Sequence, residues 1–342
     1  MKIVFRKFIS KYFRITEYVI KNLVIVFIRK LTFKKNNSVT LTFDSSRSVD
    51  GTGAQLQRII SIYALAKYFG LNHLHLEIKQ IAVHPLDPFQ TEELYDEYLT
   101  RLNRLIVFED FDHKASSQSI PEQHDMQFWR FMFLLLINRI NQKHRVISIF
   151  EPYSITEFRQ EILVNAANSI SVNRQPTGIN KQRNIVIHYR QGVGGFALYP
   201  GQNIARETPL GKFEVALRTI FSHMDLKPNS RLIVLTDAPT EVTHYVPPIH
   251  QQDLWEGTPG YSHGVMTIQP IDFGDLAEKF SLPVEVIRGG NPIDAIKVMA
   301  QAEILLMSKS SLSYVGGYLN RLGQVYYPKD FWHRPMPGWK SF

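Results

Sequence analysis

A histidine and an arginine stand two positions apart, directly after the apolar residues 185–187. Alternate side chains of a β-strand share one face, so His188 and Arg190 point the same way if this run is a strand. Three glycines follow within residues 192–195, where the backbone can turn tightly and approach a ligand closely. The planar arginine side chain donates two parallel, charge-assisted hydrogen bonds, which suits a phosphate. The pattern predicts an anion site at a strand end, and the alternative is a solvated arginine beside a core histidine.

Two further strand ends in the second half of the chain present polar side chains. Asp237 follows the apolar residues 232–235 and could accept hydrogen bonds from a base or a ribose, the alternative being ordinary turn capping. Serines in the stretch 308–313 can cap a helix while its free amides face an anion, and N-capping without a ligand is the alternative. Ligands of open α/β sheets bind at the carboxyl ends of the strands, so these ends are expected to line one edge.

Apolar runs of strand length alternate with periodic segments of helix length along the chain. In the second half, strands are predicted at residues 184–188, 231–235, 284–287 and 303–307, with helices at 210–223, 291–301 and 312–320. In the first half, strands are predicted at residues 39–43, 73–78 and 105–108, with helices at 54–69, 127–141 and 155–167. Strands separated by helices imply parallel sheets with crossover connections, so the predicted fold class is α/β.

The length of 342 residues favours two domains, since a typical domain holds about 150 residues. The polar stretch 168–181 contains Pro176 and Gly178 and predicts the connection between them. We therefore expect a terminal segment at 1–37, a first domain at 38–175 and a second at 176–342. The chain has no cysteine, which excludes disulfides and cysteine-based metal sites or nucleophiles and fits a reducing compartment.

The positive charge of the chain is concentrated at its amino end. The first 35 residues hold ten Lys and Arg residues and one acidic residue, leaving 29 basic and 30 acidic residues elsewhere. A nearly neutral body lacks the charge that nucleic-acid binding requires, so no nucleic-acid partner is expected.

Residues 1–37 have the pattern of a basic amphipathic helix. Charged side chains recur from Lys7 to Lys21, and bulky apolar ones recur at helical spacing from Phe5 to Val26. The longest apolar run, residues 23–28, has six residues, whereas about 20 are needed to cross a bilayer. Recurring charges and the lack of a small-residue cleavage site argue against a signal peptide. The pattern favours a helix lying in the interface of an anionic membrane, and a helix docked on the protein body is the alternative.

Four short motifs occur in order between residues 39 and 320. Residues 51–56 read Gly-Thr-Gly-Ala-Gln-Leu, residues 188–192 read His-Tyr-Arg-Gln-Gly, residues 235–239 read Leu-Thr-Asp-Ala-Pro, and residues 310–320 read Ser-Ser-Leu-Ser-Tyr-Val-Gly-Gly-Tyr-Leu-Asn. Together they resemble the motifs of the GDP-fucose-dependent α1,2-, α1,6- and protein O-fucosyltransferases, especially those of glycosyltransferase family 11. Two positions depart from that family: Val193 stands where it has Asp, and Ala54 where Asn is common.

The resemblance implies a GT-B architecture, with two Rossmann-like domains facing across a cleft and the nucleotide held by the second. It implies inverting transfer of fucose from GDP-fucose to a glycan hydroxyl, with no metal or other cofactor. Arg190, with His188 beside it, would stabilise charge on the departing β-phosphate. Glu207 is our candidate base for the acceptor hydroxyl, and an ordinary acid in the first turn of a helix is the alternative. The expected donor-binding residues are Gly53, Gln55, Asp237, Ser310, Ser311 and Ser313.

The expected partners are a nucleotide sugar, a glycan acceptor that is lipid-linked or assembled at a membrane, and an anionic membrane surface contacted by residues 1–37. The expected location is cytoplasmic, on the inner face of the membrane.

Two other functions stay open. Asp110-Phe111-Asp112 has the D-x-D form that holds a divalent metal and a nucleotide sugar in GT-A glycosyltransferases. The departures at Ala54 and Val193 would instead fit a catalytically inactive member that binds glycan or nucleotide.

His73 and His75 could ligate zinc, but no third ligand lies nearby in sequence, and an ordinary strand pair is the favoured interpretation.

Overall fold

The computed structural model of the chain describes residues 2–32, 39–47, 50–81, 89, 91–109, 122–124, 128–141, 143–149, 151–156, 159–172, 183–191, 208–224, 229–246 and 261–342. The chain divides into two compact units. Unit 1 comprises Met1–Val49, Gln55–Gln80 and Phe108–Ser171, and unit 2 comprises Asp50–Ala54, Ile81–Val107 and Val172–Phe342. The chain passes from unit 1 to unit 2 between Ser171 and Val172, and two segments from the first half of the chain also belong to unit 2.

The helices are α1 (Lys2–Thr32), α2 (Thr52–Phe69), α3 (Glu92–Asn103), α4 (Phe128–Asn141), α5 (Tyr153–Thr156), α6 (Glu161–Ala167), α7 (Leu210–Ser222), α8 (Asp275–Phe280), α9 (Pro292–Gln301) and α10 (Ser311–Leu319). The strands are β1 (Val39–Thr42), β2 (Asn72–Leu74), β3 (Ile106–Phe108), β4 (Glu122–His124), β5 (Arg145–Ile149), β6 (Ile170–Val172), β7 (Arg183–Tyr189), β8 (Ser230–Thr236), β9 (Thr243–Tyr245), β10 (Tyr261–Ser262), β11 (Val265–Ile268), β12 (Val284–Arg288), β13 (Ile304–Leu306), β14 (Gln324–Tyr327) and β15 (Lys340–Ser341). A 3-10 helix lies at Ser45–Arg47.

Unit 1 is built on a four-stranded parallel sheet in the order β2-β1-β5-β4. β1 is buried at all four positions, as expected for a strand with neighbours on both sides. The helix α2 ends where Gly70 adopts a φ of 66° and the Leu71 N–H donates to the Ala66 carbonyl at 2.8 Å. This is a Schellman-type ending, in which glycine avoids the steric cost of a positive φ. The sequence did not indicate β5, whose five residues follow α4 closely.

The second half of α1 packs against α4 within unit 1. Lys21 is only 8% exposed, pairs with Glu17 at 2.6 Å, and lies over the ring of Phe128 in α4. Ile25 and Ile28 are also buried. The expectation that Lys21 belongs to an outward basic face is therefore wrong, because its ammonium lies over the Phe128 ring and pairs with Glu17. The docked-helix alternative describes this half of α1, although Val19, Leu23 and Phe27 stay exposed.

None of the described helices is long and apolar enough to cross a membrane.

Unit 2 is built on a six-stranded parallel sheet in the order β12-β8-β7-β13-β14-β15. β7 lies between β8 and β13, and its apolar residues are buried on both faces of the sheet. Ile185 and Ile187 belong to a core cluster that also holds Phe213 and Leu217 of α7. The predicted α/β class with parallel sheets is confirmed in both units.

Several elements of unit 2 were not predicted, among them the helices α3 and α8. The short strands β14 and β15 extend the parallel sheet beyond the last predicted helix. The strands β10, β11 and β9 form a small antiparallel sheet. These strands have two to four residues each, too few to show a clear apolar alternation in sequence.

Candidate functional site

Three predicted polar segments lie at the carboxyl ends of neighbouring strands in unit 2. The strands β8, β7 and β13 are consecutive in the sheet, and His188 is in register with Leu235, as Ile187 is with Leu306. Because the strands are parallel, Asp237, Arg190 and the stretch 308–313 all follow them at the same edge. The structure thus brings together three segments that are more than 40 residues apart in the chain.

Arg190 lies between the other two segments. Its Nη1 donates a hydrogen bond to Ser310 Oγ at 3.2 Å, and its Nε lies 3.8 Å from Asp237 Oδ2. The side chain is 22% exposed, and within the described part of the chain its Nε has no hydrogen-bond partner. Asp237 in turn accepts a hydrogen bond from the Gln191 N–H at 2.7 Å. The arginine is therefore oriented by two polar groups while it keeps donor capacity for an anion.

His188 lies behind Arg190 in a buried polar cluster. Its Nδ1 lies within hydrogen-bond distance of the hydroxyls of Ser313 and Ser308, 2.9 Å from the latter. The two hydroxyls are 3.1 Å apart, and both serines are fully buried. Burial lowers the pKa of His188 to about 4, with nearby Asp237 opposing the shift and Arg190 adding to it. His188 is therefore neutral at pH 7, and the cluster joins the end of β7 to the first turn of α10.

The low pKa of His188 predicts acid destabilisation of the fold. The unfolded chain binds a proton near pH 6.5 and the folded chain only near pH 4, so the free energy of unfolding falls as pH drops between these values. The loss is about 1.4 kcal/mol per pH unit for one such histidine, and His73, with its pKa lowered to about 3 by burial, adds to it. Urea unfolding followed by circular dichroism between pH 7 and pH 4 measures it.

The variant His188→Asn separates this contribution from that of other groups. Asparagine can keep a hydrogen bond to the serines but does not titrate, so the pH slope should become shallower even if the variant is less stable. If the free energy of unfolding of the variant depends on pH as steeply as that of the parent, His188 is not the source of the acid destabilisation.

The amino end of α10 is the part of the site that the sequence described best. Ser310 is the N-cap residue, and its Oγ accepts a hydrogen bond from the Leu312 N–H at 3.2 Å. Ser310 thus makes the ordinary cap that was the alternative to a ligand contact, and it also accepts the bond from Arg190. Ser311 is partly exposed, and its hydroxyl lies 3.3 Å from His333 Nε2.

Gly53 connects the first glycine-rich motif to this site. It lies in the Asp50–Ala54 segment of unit 2 and packs against the amino end of α10. A Cβ atom at Gly53 would lie 2.3 Å from the backbone nitrogen of Leu312 and 2.7 Å from the carbonyl carbon of Ser311. No side chain fits there, because neither contact could be relieved by turning a flexible group.

Gln55 is placed differently from the other expected donor-binding residues. It belongs to unit 1, is completely buried, and its Nε2 donates to the Gln80 carbonyl at 3.3 Å. This hydrogen bond joins α2 to the segment that follows β2.

The sequence motifs also contain residues whose role is to hold α10 in place. Asn320 donates from its Nδ2 to the Met299 and Ala302 carbonyls at the end of α9, at 2.9 and 2.8 Å, and accepts from the Gly323 N–H. A Cβ at Gly316 would lie 2.7 Å from Met299 Cβ, so glycine lets α10 and α9 approach closely. Lys309, whose side chain is 4% exposed, pairs with Asp330 at 2.8 Å. The sequence analysis did not predict this ion pair, because the contact depends on the path of the chain between Lys309 and Asp330.

Several expected residues lie outside the described part of the chain. These are Glu207, Asp110, Asp112, Val193 and the glycines of residues 192–195. Among the residues that are described, no group of three or more His, Asp or Glu side chains could hold a metal ion. His73 and His75 pack against Phe108, with ring centroids 5.3 and 5.7 Å from it.

No protein-family model and no curated protein matches the chain. Among solved structures, NodZ α-1,6-fucosyltransferase soaked with GDP-fucose is 11% identical over 86% of this chain and 96% of its own, with a TM-score of 0.40. The E. coli heptosyltransferase WaaC with ADP-2-deoxy-2-fluoro heptose is 9% identical over 89% of this chain and 92% of its own, with a TM-score of 0.36. S. aureus MnaA with UDP is 10% identical over 85% of this chain and 79% of its own, with a TM-score of 0.27. Likenesses this weak carry no conclusion about function, which depends on the residues of the site.

Proposed function

We propose that the protein is an inverting, metal-independent glycosyltransferase of GT-B architecture that moves fucose from GDP-fucose to a glycan hydroxyl. The observation that carries this proposal is the placement of Arg190. Its guanidinium lies between Asp237 and the N-cap Ser310 of α10, at the carboxyl edge of three central parallel strands. A helix amino end and an oriented arginine together favour a bound pyrophosphate.

In this proposal Arg190 supplies the positive charge that a metal would otherwise supply. As the acceptor oxygen bonds to the anomeric carbon, the bond from that carbon to the β-phosphate oxygen breaks and negative charge develops on the departing GDP. Arg190 stabilises that charge, and Glu207 accepts the proton of the acceptor hydroxyl. Ser310 and Ser311 lie at the helix end that faces the donor.

In this proposal His188, Ser313 and Asp237 act through Arg190 rather than on the donor. His188 and Ser313 join β7 to α10, and both are buried with their polar atoms directed at each other. Asp237 holds the Gln191 amide and faces Arg190. These contacts support positioning roles for the three side chains, since a preorganised arginine loses less energy to reorganisation during the reaction.

We further propose that the acceptor is lipid-linked or assembled at a membrane, and that the protein attaches through residues 1–37 to its cytoplasmic face. The concentration of basic residues in this segment supports the attachment, because each basic side chain that reaches the surface contributes about 1 kcal/mol near anionic lipid.

The identity of the sugar donor is tested by measuring the GDP that the purified protein releases from nucleotide sugars. We expect GDP to form from GDP-fucose, and to form more slowly from GDP-mannose and from a UDP-sugar. EDTA should leave the rate largely unchanged, because Arg190 and the amino end of α10 neutralise the pyrophosphate. Asp110→Asn should likewise have little effect.

The same assay distinguishes the alternatives. A rate abolished by EDTA and restored by Mn²⁺ would favour a metal held by Asp110 and Asp112. Binding of GDP-fucose without release of GDP, in the presence of candidate acceptors, would favour an inactive binding protein.

A further inference from the structure

Unit 1 carries exposed apolar side chains on two helices that pack against each other. On α1, Val19, Leu23 and Phe27 recur every four residues, and Leu23 is 64% exposed. On α4, Trp129, Phe133 and Ile140 are exposed, Phe133 at 62% and Ile140 at 74%. The helices meet at Lys21 and Phe128, whose ring centroid lies 5.3 Å from Lys21 Nζ. We call these six exposed side chains the α1–α4 apolar surface.

We propose that the α1–α4 apolar surface inserts into the interface of an anionic lipid bilayer, so that α4 contributes to the attachment together with α1. This deepens the membrane attachment proposed above and does not depend on the identity of the sugar donor. The inward faces of both helices are already occupied by the protein: Ile25 and Ile28 on α1 and Phe131 and Leu135 on α4 are buried. The outward faces are therefore the ones left for a partner.

The charge around the surface selects lipid as that partner. Residues 126–150, which contain α4, include no acidic residue, and Arg130 and Lys143 are exposed. On α1, Lys30 is exposed, and Glu17 is paired with Lys21. Apolar side chains bordered by exposed basic ones fit an anionic bilayer, in which the rings and aliphatic groups are buried while the cations reach the headgroups.

A second copy of the chain fits this surface less well. A two-fold interface brings the same patch of both copies together, so the basic residues of one copy would face those of the other. A nucleic acid would neutralise the charge but leave the aliphatic side chains exposed. The position of Trp129 also favours a membrane, because tryptophan is enriched at the bilayer–water boundary.

Sedimentation of the full-length protein with vesicles tests the proposal. The vesicles contain equal parts of phosphatidylglycerol and phosphatidylcholine, with phosphatidylcholine alone as the neutral comparison. We expect binding to the anionic vesicles that weakens as salt is raised, and little binding to the neutral ones. The double variant Trp129→Gln/Phe133→Gln should bind at least about tenfold more weakly, because it removes two inserted side chains without changing the charge.

Leu322→Gln is the matched control, because Leu322 is 90% exposed but lies in unit 2. It should bind vesicles as the parent does. The double variant alters only surface positions, so its circular dichroism and melting temperature should match those of the parent. Its release of GDP from GDP-fucose in solution should also be unchanged, so failure of the membrane proposal and failure of the proposed function give different results.

Two outcomes would overturn the proposal. One is a folded double variant that sediments with anionic vesicles as strongly as the parent. The other is a parent protein that dimerises without lipid while the double variant stays monomeric, which would assign the α1–α4 apolar surface to contact between copies.

Discussion

Replacing Arg190 with lysine should lower the rate of GDP release by about 100-fold or more, which corresponds to roughly 3 kcal/mol of lost transition-state stabilisation. Lysine keeps the charge but presents a single ammonium in place of the planar fork. The guanidinium now donates to Ser310 while its Nε faces Asp237, and one point charge cannot hold both positions and still contact a phosphate. The measurement is kcat and kcat/KM for GDP-fucose with the purified variant.

Arg231→Lys is the matched control for this experiment. Arg231 lies at the other end of the same sheet, near the start of β8, where it bonds Asn184 and Glu285. Its replacement should leave the rate within a few-fold of the parent. If a folded Arg190→Lys variant also keeps its rate within a few-fold, Arg190 does not stabilise the leaving group.

Replacing Gly53 with alanine should damage the site even though alanine is the better helix former. The added Cβ would lie 2.3 Å from Leu312 N and 2.6 Å from Leu312 Cα, so the amino end of α10 or the Asp50–Ala54 segment must move. We expect a loss of about 1–3 kcal/mol in the free energy of unfolding, as for other overpacked positions. We also expect turnover about tenfold or more lower, because a displaced α10 changes the position of Ser310.

Gly211→Ala controls for the substitution itself. Gly211 lies in the first turn of α7, and a Cβ there would meet nothing within 4 Å. That variant should be as stable as the parent or slightly more stable, because alanine favours the helix. Should Gly53→Ala behave like Gly211→Ala in both stability and turnover, the close approach to α10 is not required.

The sequence was sufficient to locate the polar ends of the three central strands. The alternation of apolar runs with helical segments implied parallel strands, and in a parallel sheet the residues that follow the strands meet at one edge. Arg190, Asp237 and Ser310 were therefore expected together, and they lie together. The capping role of Ser310 also depends on local sequence alone, because an N-cap serine bonds an amide two residues further on.

The roles within the site depended on burial, which a single sequence does not show. His188 and Arg190 share one face of the chain, yet His188 is 7% exposed and bonded to two serines, while Arg190 remains accessible. The difference arises because α10 returns over the end of β7 and covers His188. Nothing in the spacing of the two residues predicts that contact.

The amino-terminal helix separates the two kinds of information most clearly. Its helical state, its basic charge and its apolar spacing are properties of the residues themselves, and the structure contains the helix at Lys2–Thr32. Packing against α4 determines which side chains of this helix face inward. Lys21 lies over the ring of Phe128 in α4, whereas Leu23 and Phe27 are exposed. Periodicity identifies a helix and its stripes, but only the neighbouring elements of the fold determine which stripe is buried, because burial is a property of the pair in contact.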